Sequence, residues 1–548
     1  MKAVKNTLFI MIDQLRWDAL SCYGNTVVDT PNIDRLAKRG VRFNNAYTQG
    51  TSCGNSRASF YTGLHMRSHG ATWNDWPFSL SEWTLADYLK PLNQRVILLG
   101  KTHMKPDMDG MDRLGIEPGS DLGQRLYNAG FTEGEHDDGL HPEGPMGKYS
   151  KQEPRYNAYL REHGFDGDNP WLEWANAAET DNGDIVSGFY LEHAHRPARI
   201  PKEHSETAYL TNRIIDTIDE LGDDAWCLHA SYIKPHWPCI APDPYHSLYR
   251  NADFSPAVKS EAERQSPHPI YQAFMQLGVS QTFSDEEKRA HVLPAYFGLV
   301  KEVDDHVGRL LDHLDAKGLT DNTLIVLTAD HGDYLGDHWL GEKDLFHQPS
   351  VKLPLIVVDP RPEANVTRGQ QCDALVGAID VLPTLIECAG GEITRHEHRL
   401  EGHSLLPFLH QATSPFERDF IVAEDDYGRL PVATQLGVDA LAARMTMAFN
   451  GRHKLVHCPG FPDMLFDLHN DPDELVDLGR DPGYENVRRA LRDQLLDWSA
   501  TLHNRRAVSR EMEQNANGLS RRQGILIGFW DRESVPDAMK PPLSIGVK

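Results

Sequence analysis

The residues of this 548-residue chain with types suited to chemistry stand at the ends of apolar runs. "NTLFIMID" ends in Asp13 and Gln14, "RVILLG" runs into Lys101 and His103, and "AWCLHASY" leads to Lys234 and His236. "TLIVLTAD" ends in Asp330 and His331, with Lys343 a short loop further on. Asp13, Asp330 and His331, with the Gln14 carbonyl, offer oxygen donors suited to one divalent ion, Ca2+, Mg2+ or Mn2+, and an imidazole that moves the balance toward Mn2+; Ca2+ or Mn2+ is expected. No second histidine or thiolate pair accompanies them, which disfavours zinc, and no H-E-x-x-H pattern marks a zinc peptidase. Arg57, Lys101, His103, His236 and Lys343 are mostly cations or hydrogen-bond donors. Beside a metal they form a receptacle for a tetrahedral oxyanion, where charge developing in a transition state is stabilised.

The stretch "TSCGNSRASFYTG", residues 51–63, adds a candidate nucleophile. Cys53 stands at the start of a short helix whose free N–H groups attract anions and favour a thiolate. Arg57 lies one turn along on the same face, with a fork geometry suited to sulfate or phosphate oxygens. Taken singly these residues have plainer readings: Cys53 as a packed residue under a cap, Asp13 as a turn former, His103 and His236 as ordinary surface histidines. Their convergence from distant segments carries the functional reading.

Convergence requires a scaffold that brings strand ends together. "NTLFIMID", "RVILLG", "AWCLHASY", "TLIVLTAD" and "LPLIVVD" are short continuous apolar runs, the pattern of strands buried on both faces. Between them run helical patterns such as "ETAYLTNRIIDTIDEL" and "AYFGLVKEVDDHVGRLLDHL". "TPNIDRLAKRG" reads as a helix capped by Thr30, opened by Pro31 and stopped by Gly40, with the strand "VRFNNAY" after it. Strands alternating with helices predict an α/β fold with a doubly wound, mostly parallel sheet, whose ligands sit at the carboxyl ends of its strands. Residues 105–200, rich in Gly, Asp, Pro, His and aromatics, read as an irregular insertion forming a pocket wall or lid. The pattern changes near 435, so a catalytic domain is expected over 1–435 and a smaller α+β domain over 436–548, ending in an extended arm. No internal repeat is apparent.

Composition narrows the partners. A net charge of −25 argues against nucleic acid, which needs a basic surface, and leaves room for a small anionic substrate at a local cationic cluster. Seven cysteines without paired spacing suggest no disulfide framework. No apolar run is long enough for a membrane span or a signal sequence, so a cytoplasmic setting is expected. The Pro-rich end suggests an arm wrapped on a neighbouring subunit, hence a homo-oligomer, dimer or tetramer.

Several ordered motifs together resemble the sulfatase branch of the alkaline phosphatase superfamily. "CGNSRASFYTG" resembles its C-x-P-S-R-x-x-x-x-T-G signature and "GKTH" its G-K-x-H; "TADHGDYLGDH", "SVKLPLIV", "GAIDVLPTLIECAG" and "LFDLHNDPDELVDL" follow in the expected order. The resemblance implies an alkaline-phosphatase-like fold and oxidation of Cys53 to formylglycine by a formylglycine-generating enzyme. Residue 53 then both attacks sulfur or phosphorus and belongs to the metal site with Asp13, Gln14, Asp330 and His331. It further implies that His103 takes the proton of the second hydroxyl as the ester bond breaks on the carbon side. Arg57 and Lys101 hold the nucleophile and the metal environment, while His236 and Lys343 grip the substrate's oxyanion. Two departures stand out: Asn55 where the family carries Pro or Ala, and Asp13-Gln14 with Asp330-His331 where many members carry paired acids and Asp-Asn. The second resembles phosphonate monoester hydrolases and choline-sulfatase-like members. The expected activity is hydrolysis of a sulfate monoester such as an aryl sulfate; the alternative is a phosphonate monoester hydrolase or phosphodiesterase. The intact set of candidate groups argues against a silent protein that only captures a sulfated ligand.

Overall fold

Apolar runs become the strands of one central sheet in a computed structural model, which describes residues 3–139, 154–411, 416–502, 507–516 and 528–537. In chain order its strands are β1 (Asn6–Ile12), β2 (Val41–Tyr47), β3 (Arg95–Gly100) and β4 (Thr132–His136). After a two-stranded ribbon, β5 (Ala177–Glu179) and β6 (Ile185–Ser187), come β7 (Trp226–Tyr232), β8 (Thr323–Ala329), β9 (Lys352–Val358) and β10 (Gln371–Gly377). The sheet order is β10-β2-β9-β8-β1-β7-β3-β4. Every residue of the central strands β1, β7 and β8 is buried, which is why their sequences are continuously apolar rather than alternating. β9 runs antiparallel to both neighbours and the other pairings are parallel. The carboxyl ends of β1, β2, β3, β7 and β8 therefore open on one edge.

Helices cover the faces through apolar stripes. The helix Glu206–Leu221 buries Leu210, Ile214, Ile218 and Leu221, spaced at about one turn, each side chain contributing roughly 1.5–3 kcal/mol. The first helix, α1 (Pro31–Arg39), starts where expected, but its cap differs. The Thr30 hydroxyl is engaged with Ser21 instead of the helix. Asp304, from the long helix Glu286–Ala316, accepts from the Asn32 and Ile33 N–H groups at 3.1 and 2.8 Å and caps α1 from outside. A carboxylate satisfies two orphan donors where a hydroxyl satisfies one.

The stretch expected to be an irregular insertion over 105–200 contains a strand of the main sheet, β4, paired in parallel with β3. Its polar sequence "TEGEH" hides it from hydrophobic patterning, because an edge strand has less to bury. Further along that stretch Tyr156, Leu160 and Trp171 form a small apolar core with Tyr209 and Ile240 from beyond it; its residues 140–153 lie outside the described residues.

The second sheet, β11 (Ile421–Asp426), β12 (Arg444–Phe449), β13 (His453–His457) and β14 (Met464–Asp467), is wholly antiparallel and begins upstream of the boundary expected at 435. Its alternating residues serve two faces. Val422, Ala448, Leu455 and Leu465 pack on Leu491 and Leu495 of the helix Glu485–Thr501. Met445, Met447, Val456, Met464 and Phe466 pack on Tyr47, Tyr334 and Phe346 of the larger unit. The arm expected at the carboxyl end lies partly outside the described residues; within them Trp530 is 94% exposed. Among the described residues no helix is long and apolar enough to cross a membrane.

Candidate active site

The open edge of the sheet gathers the candidate groups around one sulfur. The helix α2 (Cys53–Thr62) begins at Cys53, just beyond β2, and is buried along its whole length. The Cys53 sulfur lies 3.1 Å from His331 Nε2, 3.7 Å from Asp13 Oδ1, 3.4 Å from Lys343 Nζ and 3.8 Å from Lys101 Nζ. His103 and His236 lie against the same sulfur. Ligand atoms of Asp13, Cys53, Asp330 and His331 all fall within 4.8 Å of one another, each residue wholly buried.

Arg57, one turn along α2, organises the acids. Its Nε meets Asp330 Oδ2 at 2.8 Å, its Nη2 meets Asp13 Oδ2 at 3.4 Å, and its Nη1 donates to the Lys101 carbonyl and to Ser231 Oγ at 2.8 and 2.7 Å. Lys101 pairs with Asp13. It leaves β3 through Gly100, where φ is +107° and a Cβ would stand 2.0 Å from the Ser231 carbonyl, so only glycine lets the chain turn there. Asp330 Oδ1 accepts from the Gln14 and His331 N–H groups at 3.1 and 2.9 Å. Gln14, with φ of +62°, donates through Nε2 to Asp333 and keeps its buried Oε1 without a hydrogen-bond partner. A strained backbone presenting an unpaired buried carbonyl oxygen beside two carboxylates and an imidazole fits a hard divalent cation. His236 is carried by a loop that Lys234 closes, its Nζ donating to the Pro238 carbonyl at 2.9 Å and to Asn176 Oδ1 at 3.0 Å.

Electrostatically the cluster favours anions. Burial pushes the Cys53 thiol up, but Lys101, Lys343 and His331 outweigh it and hold it well below the ordinary thiol range. Burial and the Cys53 sulfur likewise raise Asp13, yet Lys101, His236 and Arg57 hold it below the usual carboxylate range. Burial lowers His331, but Asp330 and Cys53 prevail and push it up to about 9. His236 is lowered, chiefly by burial and secondly by Lys101, against the pull of Asp13. Three permanent cations around two carboxylates and one sulfur form a dry, preorganised receptacle for a tetrahedral oxyanion.

The sulfatase family profile matches residues 5–391. The chain belongs to the sulfatase family. A second profile, the C-terminal region of N-sulphoglucosamine sulphohydrolase, matches residues 336–501. The multifunctional alkaline phosphatase superfamily protein PehA of Trinickia caryophylli is 29% identical over 525 residues, covering 90% of this chain and 95% of that one. The arylsulfatase of Clostridium perfringens is 26% identical over 90% of this chain and 93% of its own. Among solved structures, a phosphonate monoester hydrolase from Silicibacter pomeroyi aligns with a TM-score of 0.77 at 26% identity, covering 91% of this chain and 96% of that one. The fold is alkaline-phosphatase-like, a large mixed sheet flanked by helices with a C-terminal antiparallel sheet, and the protein is a hydrolase.

Around its cluster this sulfatase carries residues that sequence reasoning missed. Asp138 Oδ1 accepts from the Thr102 and His103 N–H groups at 3.1 and 2.9 Å and sets the turn that carries His103, whose φ is +54°. Asn74 accepts from the Gly54 N–H at 2.7 Å, bringing the segment "TWNDW" onto the start of α2. Asp138 stands in a stretch without periodicity and gave no signal; Asp333, three residues past Asp330 in "DHGD", was the findable one. Asn55, where the family carries Pro or Ala, is buried: its Oδ1 accepts from the Ser52 N–H at 2.9 Å and its Nδ2 donates to the Thr72 carbonyl at 3.1 Å. The amide thus answers a helix-terminus donor that proline would leave open.

Proposed function

We propose that this protein hydrolyses sulfate monoesters, aryl sulfates among them, through a formylglycine made from Cys53 by a formylglycine-generating enzyme. The observation that carries this reading is the ring of Asp13, Lys101, His331 and Lys343 around the Cys53 sulfur. Conversion supplies at position 53 a hydrated aldehyde, with one hydroxyl to attack sulfur and a second whose deprotonation expels the sulfate by carbon–oxygen cleavage. Asp13, Gln14, Asp330 and His331 would hold a Ca2+ or Mn2+ ion, which supplies neutralisation of charge on the nucleophile and the ester oxygens. Arg57 and Lys101 fix the acids, and with them the side chain of residue 53. His103, against that side chain, takes the proton of the second hydroxyl. Lys343 and His236 grip the ester's oxygens and assist the leaving group. Seven unpaired cysteines suit a reducing, cytoplasmic setting.

Tryptic mass spectrometry of the peptide containing Cys53 tests the modification: an aldehyde mass is expected, and a fully retained thiol in active enzyme overturns the mechanism. A second reading, phosphonate monoester or phosphodiester hydrolysis, is favoured by the likeness to the Silicibacter pomeroyi enzyme over 91% of the chain. Both substrate classes carry about one negative charge at neutral pH, so one site accommodates either. Comparing kcat/KM for matched phenyl sulfate and the phenyl monoester of methylphosphonate separates the readings; a preference for the phosphonate ester replaces the first with the second.

A further inference from the structure

Lys343 stands in a segment without regular secondary structure. Between Leu340 and Gln348 the chain forms neither helix nor strand, and the residues on either side of Lys343, Glu342 and Asp344, sit at φ of +66° and +84°. Such conformations persist only where surrounding structure imposes them. The Lys343 Nζ nevertheless lies 3.4 Å from the Cys53 sulfur.

Part of the restraint is local, since the Tyr334 N–H donates to the Glu342 carbonyl at 2.7 Å and Glu342 Oε1 pairs with Lys343 Nζ at 3.1 Å. The rest comes from the second sheet and the loop beyond it. Lys454 on β13 donates from Nζ to the Phe346 carbonyl at 2.7 Å and pairs with Glu474 Oε1 at 2.5 Å. Glu474 Oε2 in turn accepts from the Gln348 N–H at 2.7 Å. One ion pair thus grips the backbone three and five residues beyond Lys343, with both side chains wholly buried. The same sheet holds the approach to Cys53: Glu424 N–H donates to the Gln49 carbonyl at 3.0 Å, and Asp425 accepts from the Thr51 hydroxyl. A buried ion pair adds little net stability over an apolar pair of the same shape, because desolvation offsets the attraction. Its directional bonds to two backbone groups, by contrast, define where the segment lies.

We propose that Lys454 and Glu474 are positioning residues for Lys343, so that the carboxyl-terminal sheet sets the catalytic geometry of a site built on the other sheet. This rests on the reading above that Lys343 acts on the substrate's oxyanion. The pair tethers Phe346 and Gln348; the tethered backbone fixes the turn at 342–344; the turn aims Nζ at residue 53.

Four enzymes test it: wild type, Lys343→Ala, the double variant Lys454→Met/Glu474→Gln, and all three changes together, each assayed for kcat and KM on an aryl sulfate. Removing both charges avoids leaving one buried charge uncompensated. The double variant is expected to lose roughly ten- to hundredfold in kcat, with an unchanged urea midpoint, because small misplacements of a reacting group cost that much. In the Lys343→Ala background the same two changes are expected to have almost no further effect on kcat, since groups acting as a unit are non-additive. Losses that multiply in the triple variant, or wild-type kcat in the double variant, overturn the proposal while leaving the role of Lys343 intact. Wild-type activity in Lys343→Ala refutes that role and the proposal with it. Lys454→Arg keeps the charge and a donor, so the buried Glu474 stays paired. It is expected to lose less kcat than the double variant and to show the same silence beside Lys343→Ala; multiplication there overturns the proposal even where the double variant fails to fold.

Discussion

At the scale of single residues, Asp330 has the most to answer for. It holds the Gln14 and His331 N–H groups through one oxygen and Arg57 through the other. Asp330→Ala is expected to lose bound divalent ion and turnover together, kcat falling by about a hundred- to thousandfold or more. Unchanged metal stoichiometry in the purified variant would refute its place in the site. Glu302 makes a different prediction. Burial pushes it up to about 7, against the Ser205 hydroxyl and Lys234, which pull it down. The folded chain keeps this proton where the unfolded chain, with its carboxyl near 4.5, has lost it. The stability it contributes is therefore complete below that unfolded value and is lost as pH rises through the folded one, about 3 kcal/mol in all. Glu302→Gln is expected to flatten the urea-unfolding free energy between pH 4.5 and 7 by that amount; a profile parallel to wild type refutes the assignment.

At the scale of elements, the strands were legible because burial on both faces writes itself as an uninterrupted apolar run. β1, β7 and β8 stand where "NTLFIMID", "AWCLHASY" and "TLIVLTAD" placed them. β4 was not legible, since an edge strand of polar residues has no such signature. Helix α1 shows the same limit at its end: its start was readable, its cap was not, because Asp304 arrives from another helix. Asp304→Ala is expected to cost about 1–2 kcal/mol of folding free energy by urea denaturation. Asp304→Asn, which keeps an acceptor oxygen, is expected to cost less than half as much. Equal losses in the two variants would mean that charge, not capping, holds α1.

At the scale of the whole molecule, both sheets reach the candidate site: the large sheet carries Asp13, Lys101 and Asp330 at its strand ends, and residues of the second bond to the segments beside Cys53 and Lys343. Trp530, near the carboxyl end, is 94% exposed, a large apolar surface left open by the described residues. A variant lacking residues 530–548 is expected to contain fewer chains per particle by light scattering than the full chain; an unchanged number removes the arm from subunit contacts. By itself the sequence determined which segments form the central strands and that each ends in polar residues, because burial periodicity and turn chemistry are local properties. That Asp13, Cys53, Asp330 and His331 share one small volume was decided only by the sheet's strand order and direction. The supporting layer, Asp138 beneath His103, Ser231 against Arg57 and Lys454 with Glu474 behind Lys343, was also decided only in three dimensions. A polar side chain carries no periodic signal, and its partner, far away in the chain, is chosen by packing.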